Sequence, residues 1–503
     1  MSGAHARPRT KPAPPFVLAA AVTAQTLVLL DNTILNIAVD VLSDPVRGIG
    51  ASGSELAWAV STYPLMFAAL VFTGGALSDR FGPRAVLISG LIVLALASIV
   101  AAVSGDATVL VLARGVMGIG GALVTPATLA IATLGVPPEH RARAIAIWSS
   151  AGGVAVAIGP VLGGLLLARF WWGSIFLVNV PIALVCIVGA LSFVPKLSIS
   201  DKRPLDPAGL ILSMLGLGGL VFGIIEGGRA GWTDPLAVTT ALAGIALIVV
   251  FTLVQLRSRH PSFDVRLFTS PRFAGGALGL LFSFAGLSGQ LFYCAFYLQG
   301  ILRLSPAEAG LVMTGAAVGI VAGNQLSPRV AAALTTRWTA FAGLLLATMT
   351  YAAFVLFDTH TPLVYLVLLL LAQGLGAGLV LPPITSEMLA VLRPGHTGAG
   401  AAISAAARPL GSTLGVAALG SLLAAGYAAA ITPALAGLPD AARDQAVASA
   451  EGARAVGRAL GRPDLISAAD NAYLHAMDLT AMVTAAVSLA GCLIIVRCFR
   501  REN

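Results

Sequence analysis

The stretch Ala107-Thr108-Val109-Leu110-Val111-Leu112-Ala113-Arg114-Gly115-Val116-Met117-Gly118-Ile119-Gly120 opens a run that extends to Leu134 with one charge, Arg114. At about 1.5 Å per helical residue, roughly 20 such residues cross a hydrocarbon core of about 30 Å. Working outward, runs of the same kind recur near 16–40, 57–77, 85–104, 108–134, 144–168, 175–195, 207–227 and 235–256. A second set lies near 273–297, 307–326, 339–357, 363–390, 403–426 and 477–497. The spacing predicts an all-α polytopic membrane protein with fourteen spans and short connections.

Composition agrees. The chain of 503 residues is 57% hydrophobic and 10% charged, with a mean hydropathy of +0.92. Soluble domains carry about 25% charged residues, so a water-soluble enzyme is excluded. The formal net charge of +8 would raise nucleic-acid binding in a soluble chain, but here its placement matters more. An even number of spans puts both termini on one side, and the positive-inside rule assigns that side. A cytoplasmic N-terminus places Arg80, Arg84, Arg141, Arg143, Lys196, Lys202, Arg203, Arg257, Arg259, Arg266, Arg272, Arg329, Arg337 and Arg393 inside. The basic residues of both tails join them. Only Arg47, Arg169, Arg229 and Arg303 fall in short outer loops. Both termini are therefore expected in the cytoplasm, and no nucleic-acid partner is needed. The arginine bias over lysine, with abundant Ala and Gly, suggests a GC-rich bacterial genome and hence the bacterial cytoplasmic membrane.

The segment 427–476 is the sizeable polar region of the chain. Its stretch Asp440–Leu460 is Ala-rich with interspersed charges, a composition that allows helix on the outer surface; a solvated connector is the simpler reading of its role and a binding lid the alternative. A faint repeat relates Gly74-Gly75-Ala76-Leu77-Ser78-Asp79-Arg80 to Gly323-Asn324-Gln325-Leu326-Ser327-Pro328-Arg329. Gly, Leu, Ser and Arg keep their offsets, which suggests two six-helix halves around a midplane site. The expected parts are a tail at 1–15, an N-terminal bundle at 16–195 and two inserted helices at 207–256. A C-terminal bundle follows at 273–497, including the outer loop 427–476, and then a tail at 498–503.

A charge at bilayer depth costs at least about 2.5 kcal/mol and usually has a task. Asp31 lies roughly 22 Å along its span, and Arg114 roughly 9 Å along a span entering from the other side. Both therefore fall in the outer half of the membrane, where they can pair or share a proton. A fixed ion pair that only locks two helices is the simpler alternative. Asn32 and Asn36 extend a polar stripe beside Asp31. Gly75, Asp79, Arg80, Gly82 and Arg84 form a tight inner loop that holds topology or gates the inner side. Gly159, Pro160, Gly163 and Gly164 give the fifth span a small-residue face and a point that can bend. Glu226 and Glu387 lie near opposite span ends, where solvated carboxylates are commoner than binding sites. Phe292 and Phe296 belong to an aromatic ninth span, whose default reading is packing and whose alternative is a wall for a flat substrate. Arg408 is expected to snorkel to the cytoplasmic surface. The four cysteines, Cys186, Cys294, Cys492 and Cys498, read as apolar packing residues. No Walker A motif, HExxH or CxxC is present, so neither ATP hydrolysis nor a metal is expected.

Four segments carry a family resemblance. Gly75–Arg84 resembles the signature loop of the major facilitator superfamily. Leu110–Gly120 resembles its fourth-helix motif, and Gly159-Pro160-Val161-Leu162-Gly163-Gly164 its antiporter motif. Leu30–Ala38 resembles the first-helix motif of the fourteen-span drug:proton antiporters. Asn179 with Pro181, and Arg408 with Gly411, are similar in detail. Pro83, Met117, Asp40, Ala146, Ala155 and Ser404 depart from the usual residues. The resemblance implies the major facilitator fold, with two inserted helices between two six-helix bundles. It also implies a monomeric antiporter in the lipid bilayer that exports a small lipophilic substrate, an antibiotic or a cationic drug. Asp31 and Arg114 would couple that export to protons, with the loop and fifth helix as conformational elements and no cofactor beyond the proton gradient. An uptake symporter of the same superfamily and a membrane sensor on a transporter fold are the alternatives.

Overall fold

The computed structural model describes residues 15–195, 206–258, 261, 263–392 and 397–499. Within that range the side chains of Asn32, Asn36, Ile37, Asp40, Pro138, Pro160, Ala230, Pro306, Ala307 and 397–400 fall outside the description. The tails assigned from sequence lie outside it too, apart from Pro15, Cys498 and Phe499.

The first helices are α1 (Pro15–Ser43), α2 (Gly53–Phe81), α3 (Pro83–Ala102), α4 (Ala107–Leu134) and α5 (Arg141–Arg169). The sixth span is interrupted at Val178 into α6 (Ser174–Leu177) and α7 (Asn179–Phe193). An inserted hairpin follows, α8 (Pro207–Ala230) and α9 (Pro235–Arg257). The second bundle contains α10 (Pro271–Phe296), α11 (Pro306–Leu334), α12 (Thr336–Ala352), α13 (Leu363–Ala390) and α14 (Thr397–Ile431). Two short helices, α15 (Asp440–Ala448) and α16 (Ala450–Ala459), precede α17 (Pro463–Cys498). Among the described residues, 14 helical stretches are long and apolar enough to cross a membrane.

Local chemistry sets the helix ends. Ser52 and Glu55 close a capping box at α2, and Ser305 and Glu308 another at α11, so two orphan amides at each end are satisfied. Asp106, Asp206 and Asp234 cap α4, α8 and α9. Gly82, with φ of 90°, makes the turn that separates α2 from α3, a conformation a side chain would strain.

The helices approach at glycines. A Cβ on Gly74 of α2 would lie 2.2 Å from the Ala122 carbonyl oxygen of α4. In the second half Gly343 of α12 and Gly376 of α13 face each other, each Cβ position 2.6 Å from the other's carbonyl oxygen. Without water as a driving force between spans, this close packing and its dispersion contacts hold the bundles. One apolar core fills α1–α7, and others fill α10–α14 with α17. The inserted hairpin leans on both, through Trp58 stacked on Phe222 and a 2.6 Å hydrogen bond from Trp232 to Ser421.

The two halves meet at the ends nearest the chain termini. Leu129, Ile145 and Trp148 share a cluster with Ala401, and Gln325 donates to Ser150 across 3.2 Å. Gly153 of α5 lies against Ala317 and Val321 of α11.

The segment 427–476 carries the helix that its Ala-rich stretch allowed, and it is packed rather than solvated. It is mostly helical, and α17 begins at Pro463 rather than near 477. Its Ala446, Ala450, Ala453 and Val456 share a core with Leu465 and Ala469 of α17, so the alanines form an apolar face that docks. Arg454, 3% exposed, bonds Asp470 at 2.7 Å, and Tyr427 donates to the Ala446 carbonyl. Arg303, whose φ is 59°, reaches the same Asp470 at 3.2 Å.

Candidate functional site

Asp31 and Arg114 are 0% exposed, and Arg114 Nη1 lies 2.5 Å from Asp31 Oδ2. The other carboxylate oxygen, Oδ1, accepts from Asn179 Nδ2 at 2.8 Å. That amide also donates to Ser98 Oγ at 3.2 Å. One carboxylate of α1 is thus held by donors from α4 and α7, with α3 behind them.

Arg114 is held in turn. Its Nε donates to the Ala59 carbonyl at 3.2 Å, and its guanidinium sits 4.6 Å from the centroid of the Tyr63 ring. Tyr63 donates to the Val28 carbonyl at 3.0 Å, three residues before Asp31. The glycines after Arg114 make room for this ring. A Cβ on Gly118 would lie 2.4 Å from the Tyr63 carbonyl oxygen, and one on Gly121 would lie 2.6 Å from its hydroxyl. Burial removes the hydration of both charges, so the pair persists because nearly every polar atom has a partner. Two exceptions stand out: Arg114 Nη2 and Asn179 Oδ1 are buried and have no partner.

The structure brings Gly159 of the fifth span to the same place. A Cβ on Gly159 would lie 2.3 Å from Thr33 Oγ1, two residues along α1 from Asp31. Gly163 is buried, whereas Gly164 has open space where a Cβ would go. The α5 helix runs unbroken through position 160. The side chains of Pro160, Asn32 and Asn36 lie outside the described residues.

The loop between α2 and α3 is tied to the end of the first bundle. Arg84 Nη1 and Nη2 donate to the Val194 and Leu191 carbonyls at 2.9 and 2.8 Å. A cation therefore caps the last carbonyls of α7, where the helix dipole is negative. Arg80 lies 5.5 Å from the Phe81 ring centroid, and Gly75 is buried in α2 beside Gly74. Asp79 is half-buried at the end of that helix.

The remaining candidates lie apart from Asp31. Glu226, 4% exposed, is paired with Arg229 one turn along α8, with Nε at 2.9 Å. Phe292 and Phe296 meet edge to face at 5.1 Å, with Phe292 beside Gly420 and Phe296 53% exposed. Glu387 is half-buried near the end of α13. A cleft of about 540 Å³ lies at the turn from α12 to α13, lined by Phe357, Asp358 and Tyr365 among others, and shares no residue with the Asp31 site.

Arg408 does not follow the snorkelling expectation. Its guanidinium lies 5.9 Å from the Phe284 ring centroid of α10. A Cβ on Gly152 of α5 would sit 3.6 Å from its Nη1. The α14 backbone starts between the two bundles, so the side chain ends in their seam. Tyr63, Ser98 and the position of Arg408 were not legible as site residues. The one local signal was the spacing of Gly115, Gly118 and Gly121, a groove at helical period that awaits a large neighbour.

Comparison with known proteins adds three findings. The family model described as Major Facilitator Superfamily matches residues 21–293. The chain is similar to a puromycin resistance protein of Streptomyces alboniger, at 33% identity over 80% of each chain. It is also similar to a multidrug efflux pump of Mycolicibacterium smegmatis, at 31% identity over 94% of each. Its fold matches that of the human organic anion transporter MFSD10, with a TM-score of 0.65 over 96% of this chain and 100% of that one. At 16% identity that likeness speaks for fold alone.

Proposed function

The chain belongs to the major facilitator superfamily, and from that premise we propose that it exports a lipophilic drug or antibiotic in exchange for protons. Its relatives named for puromycin resistance and multidrug efflux support the drug as cargo. The observation that carries the coupling is Asp31, a fully buried carboxylate joined by Arg114 and Asn179 to three other helices.

The chemistry runs as follows. Asp31 ionised keeps Arg114 on α1. Protonation removes the charge, weakens that ion pair and frees the helices to shift. The glycine face of α5 against Thr33 and the Arg84 clasp on α7 transmit the shift. In this reading the halves alternate between closure at the terminal ends, the arrangement described above, and closure at the opposite ends. The termini lie in the cytoplasm of a bacterial cell, in accord with the basic inner loops. A proton entering down 100 mV supplies about 2.3 kcal/mol, and each pH unit about 1.4 more. A hundredfold gradient of a neutral drug costs about 2.8 kcal/mol, which one proton covers once about one pH unit adds to that potential.

The test is accumulation of a fluorescent cationic dye and of antibiotics in cells with and without the protein, with an uncoupler added. Expression should lower accumulation, and the uncoupler should restore it. Unchanged accumulation of every compound would remove the drug-export reading. If Asp31→Asn kept uncoupler-sensitive export, Asp31 would not be the proton site.

A further inference from the structure

We infer that Asn179 is a positioning residue whose side-chain amide turns over when Asp31 takes up its proton, accepting from the acid where it donates to the carboxylate. The inference rests on reading Asp31 as the proton site.

Asp31 is faced from several helices. The charged and titratable groups around it are Arg114 of α4 and Tyr63 of α2, with Arg408 of α14 within electrostatic reach of the same Tyr63. Neutral groups come from α3 and α7, Ser98 and Asn179, while α5 presents Gly159 beside Thr33. Both Asp31 oxygens receive donors, Nη1 of Arg114 on Oδ2 and Nδ2 of Asn179 on Oδ1. That arrangement suits an ionised carboxylate, which only accepts.

A proton on either oxygen then points a hydrogen at a donor. Guanidinium has no acceptor, so Arg114 cannot adapt. Asn179 can. Its Oδ1 is buried without a partner, and its terminal amide torsion is roughly two-fold. A half-turn puts Oδ1 where Nδ2 was, ready to accept from a proton on Asp31 Oδ1. Ser98 Oγ, now an acceptor from Nδ2, rotates its hydroxyl and becomes a donor to the same oxygen. Arg114 keeps Oδ2. The only bond formed is O–H on Asp31, and the proton that forms it later leaves to the other side. The turn moves Nδ2 into the unpartnered position that Oδ1 leaves, so one unsatisfied group replaces another. The proton on Asp31 decides between them.

The experiment is an acid-minus-neutral infrared difference spectrum of the purified full-length protein in lipid. The wild type should show a protonated-carboxyl band, absent in Asp31→Asn. A side-chain amide carbonyl band should change with it and vanish in both Asn179→Leu and Asp31→Asn. In transport, Asn179→Leu removes a charge-assisted bond from the carboxylate and a weaker neutral bond from the acid. Its pH midpoint for drug:proton exchange should rise by about one unit, while drug–drug counterflow continues. Asn179→Ser, which both donates and accepts, should stay near the wild-type midpoint. A carboxyl band with no accompanying amide change would overturn the turnover of Asn179. So would an Asn179→Leu protein that loses counterflow and exchange equally with an unmoved midpoint. If the carboxyl band survives in Asp31→Asn, the proton-site reading fails instead.

Discussion

Gln373 donates to Gln290 across 2.7 Å, joining α13 to α10 in the second half as the Arg114–Asp31 pair joins α4 to α1 in the first. Both glutamines are 0% exposed, and each keeps one amide atom without a partner. The charge-bearing version of this bridge thus sits in one half and an uncharged version in the other. A neutral hydrogen bond contributes about 1 kcal/mol, and replacing both partners with apolar side chains of similar volume is close to neutral. The Gln290→Leu/Gln373→Leu protein should therefore melt within a few degrees of the wild type and keep its pH dependence of export. Dye efflux measured from pH 5.5 to 8 checks this.

Arg114→Ala leaves the Asp31 charge buried with Asn179 as its remaining donor. Breaking a buried pair in this way costs about 3–5 kcal/mol, which the protein escapes by keeping Asp31 protonated. Export should lose its response to external pH while drug binding persists. Equilibrium binding of a fluorescent substrate across pH, beside efflux rates, separates the two effects.

Two glycines of one motif should respond in opposite ways. At Gly159 a methyl group meets Thr33 Oγ1 at 2.3 Å, and Thr33 is itself bonded to the Leu30 carbonyl at 2.9 Å. Overpacking there costs about 1–3 kcal/mol. Gly164 has nothing within 4 Å of a Cβ, so alanine in the helix gains up to about 1 kcal/mol. Gly159→Ala should lower the melting temperature and export, and Gly164→Ala should lower neither. Thermal unfolding in detergent with efflux in cells reads both.

The fold was legible because a bilayer demands long apolar helices, and nothing else in the chain competes with that period. The pairing of Asp31 with Arg114 was legible from depth, since two opposite charges at one level are too costly to leave apart. Ser98 and Tyr63 were not, because a serine and a tyrosine in apolar runs carry no cost that reveals a task. Their roles follow from which helix faces pack together, and that is set by glycine grooves spread over several helices. The packing of the segment 427–476 was hidden for a related reason. Its alanines look weakly polar in sequence, and their apolar face exists only once Ala446–Val456 has wound into helix.

The segment 427–476 also gives a pH prediction. Glu451 is held below the usual carboxylate range, first by its hydrogen bond from Arg458, then by Arg454. Both arginines lie on α16 with Glu451, so the depressed pKa stabilises the folded helix above the ordinary Glu value of about 4.3, and this is lost as pH falls through the lowered value. Protease cleavage within 436–462 should therefore rise as pH drops below about 4. Glu451→Gln should raise cleavage at neutral pH and flatten the response, as read by timed digestion.

Arg408 is expected to set a preference among substrates. Its guanidinium occupies the seam between the bundles, beside Gly152 and Phe284, and no carboxylate among the described residues pairs with it. A cationic drug passing about 10 Å away, at an effective dielectric of about 20, is repelled by about 1.7 kcal/mol. That energy is a factor of more than ten in affinity. Arg408→Met keeps the length and apolar stem while removing the charge. It should lower the half-saturating concentration of a permanent cation such as ethidium by up to about tenfold and leave that of a neutral substrate within about twofold. Concentration series for the two substrates in inverted vesicles measure the ratio directly. An equal change for both would mean that Arg408 acts on packing of the seam rather than on the charge of the cargo.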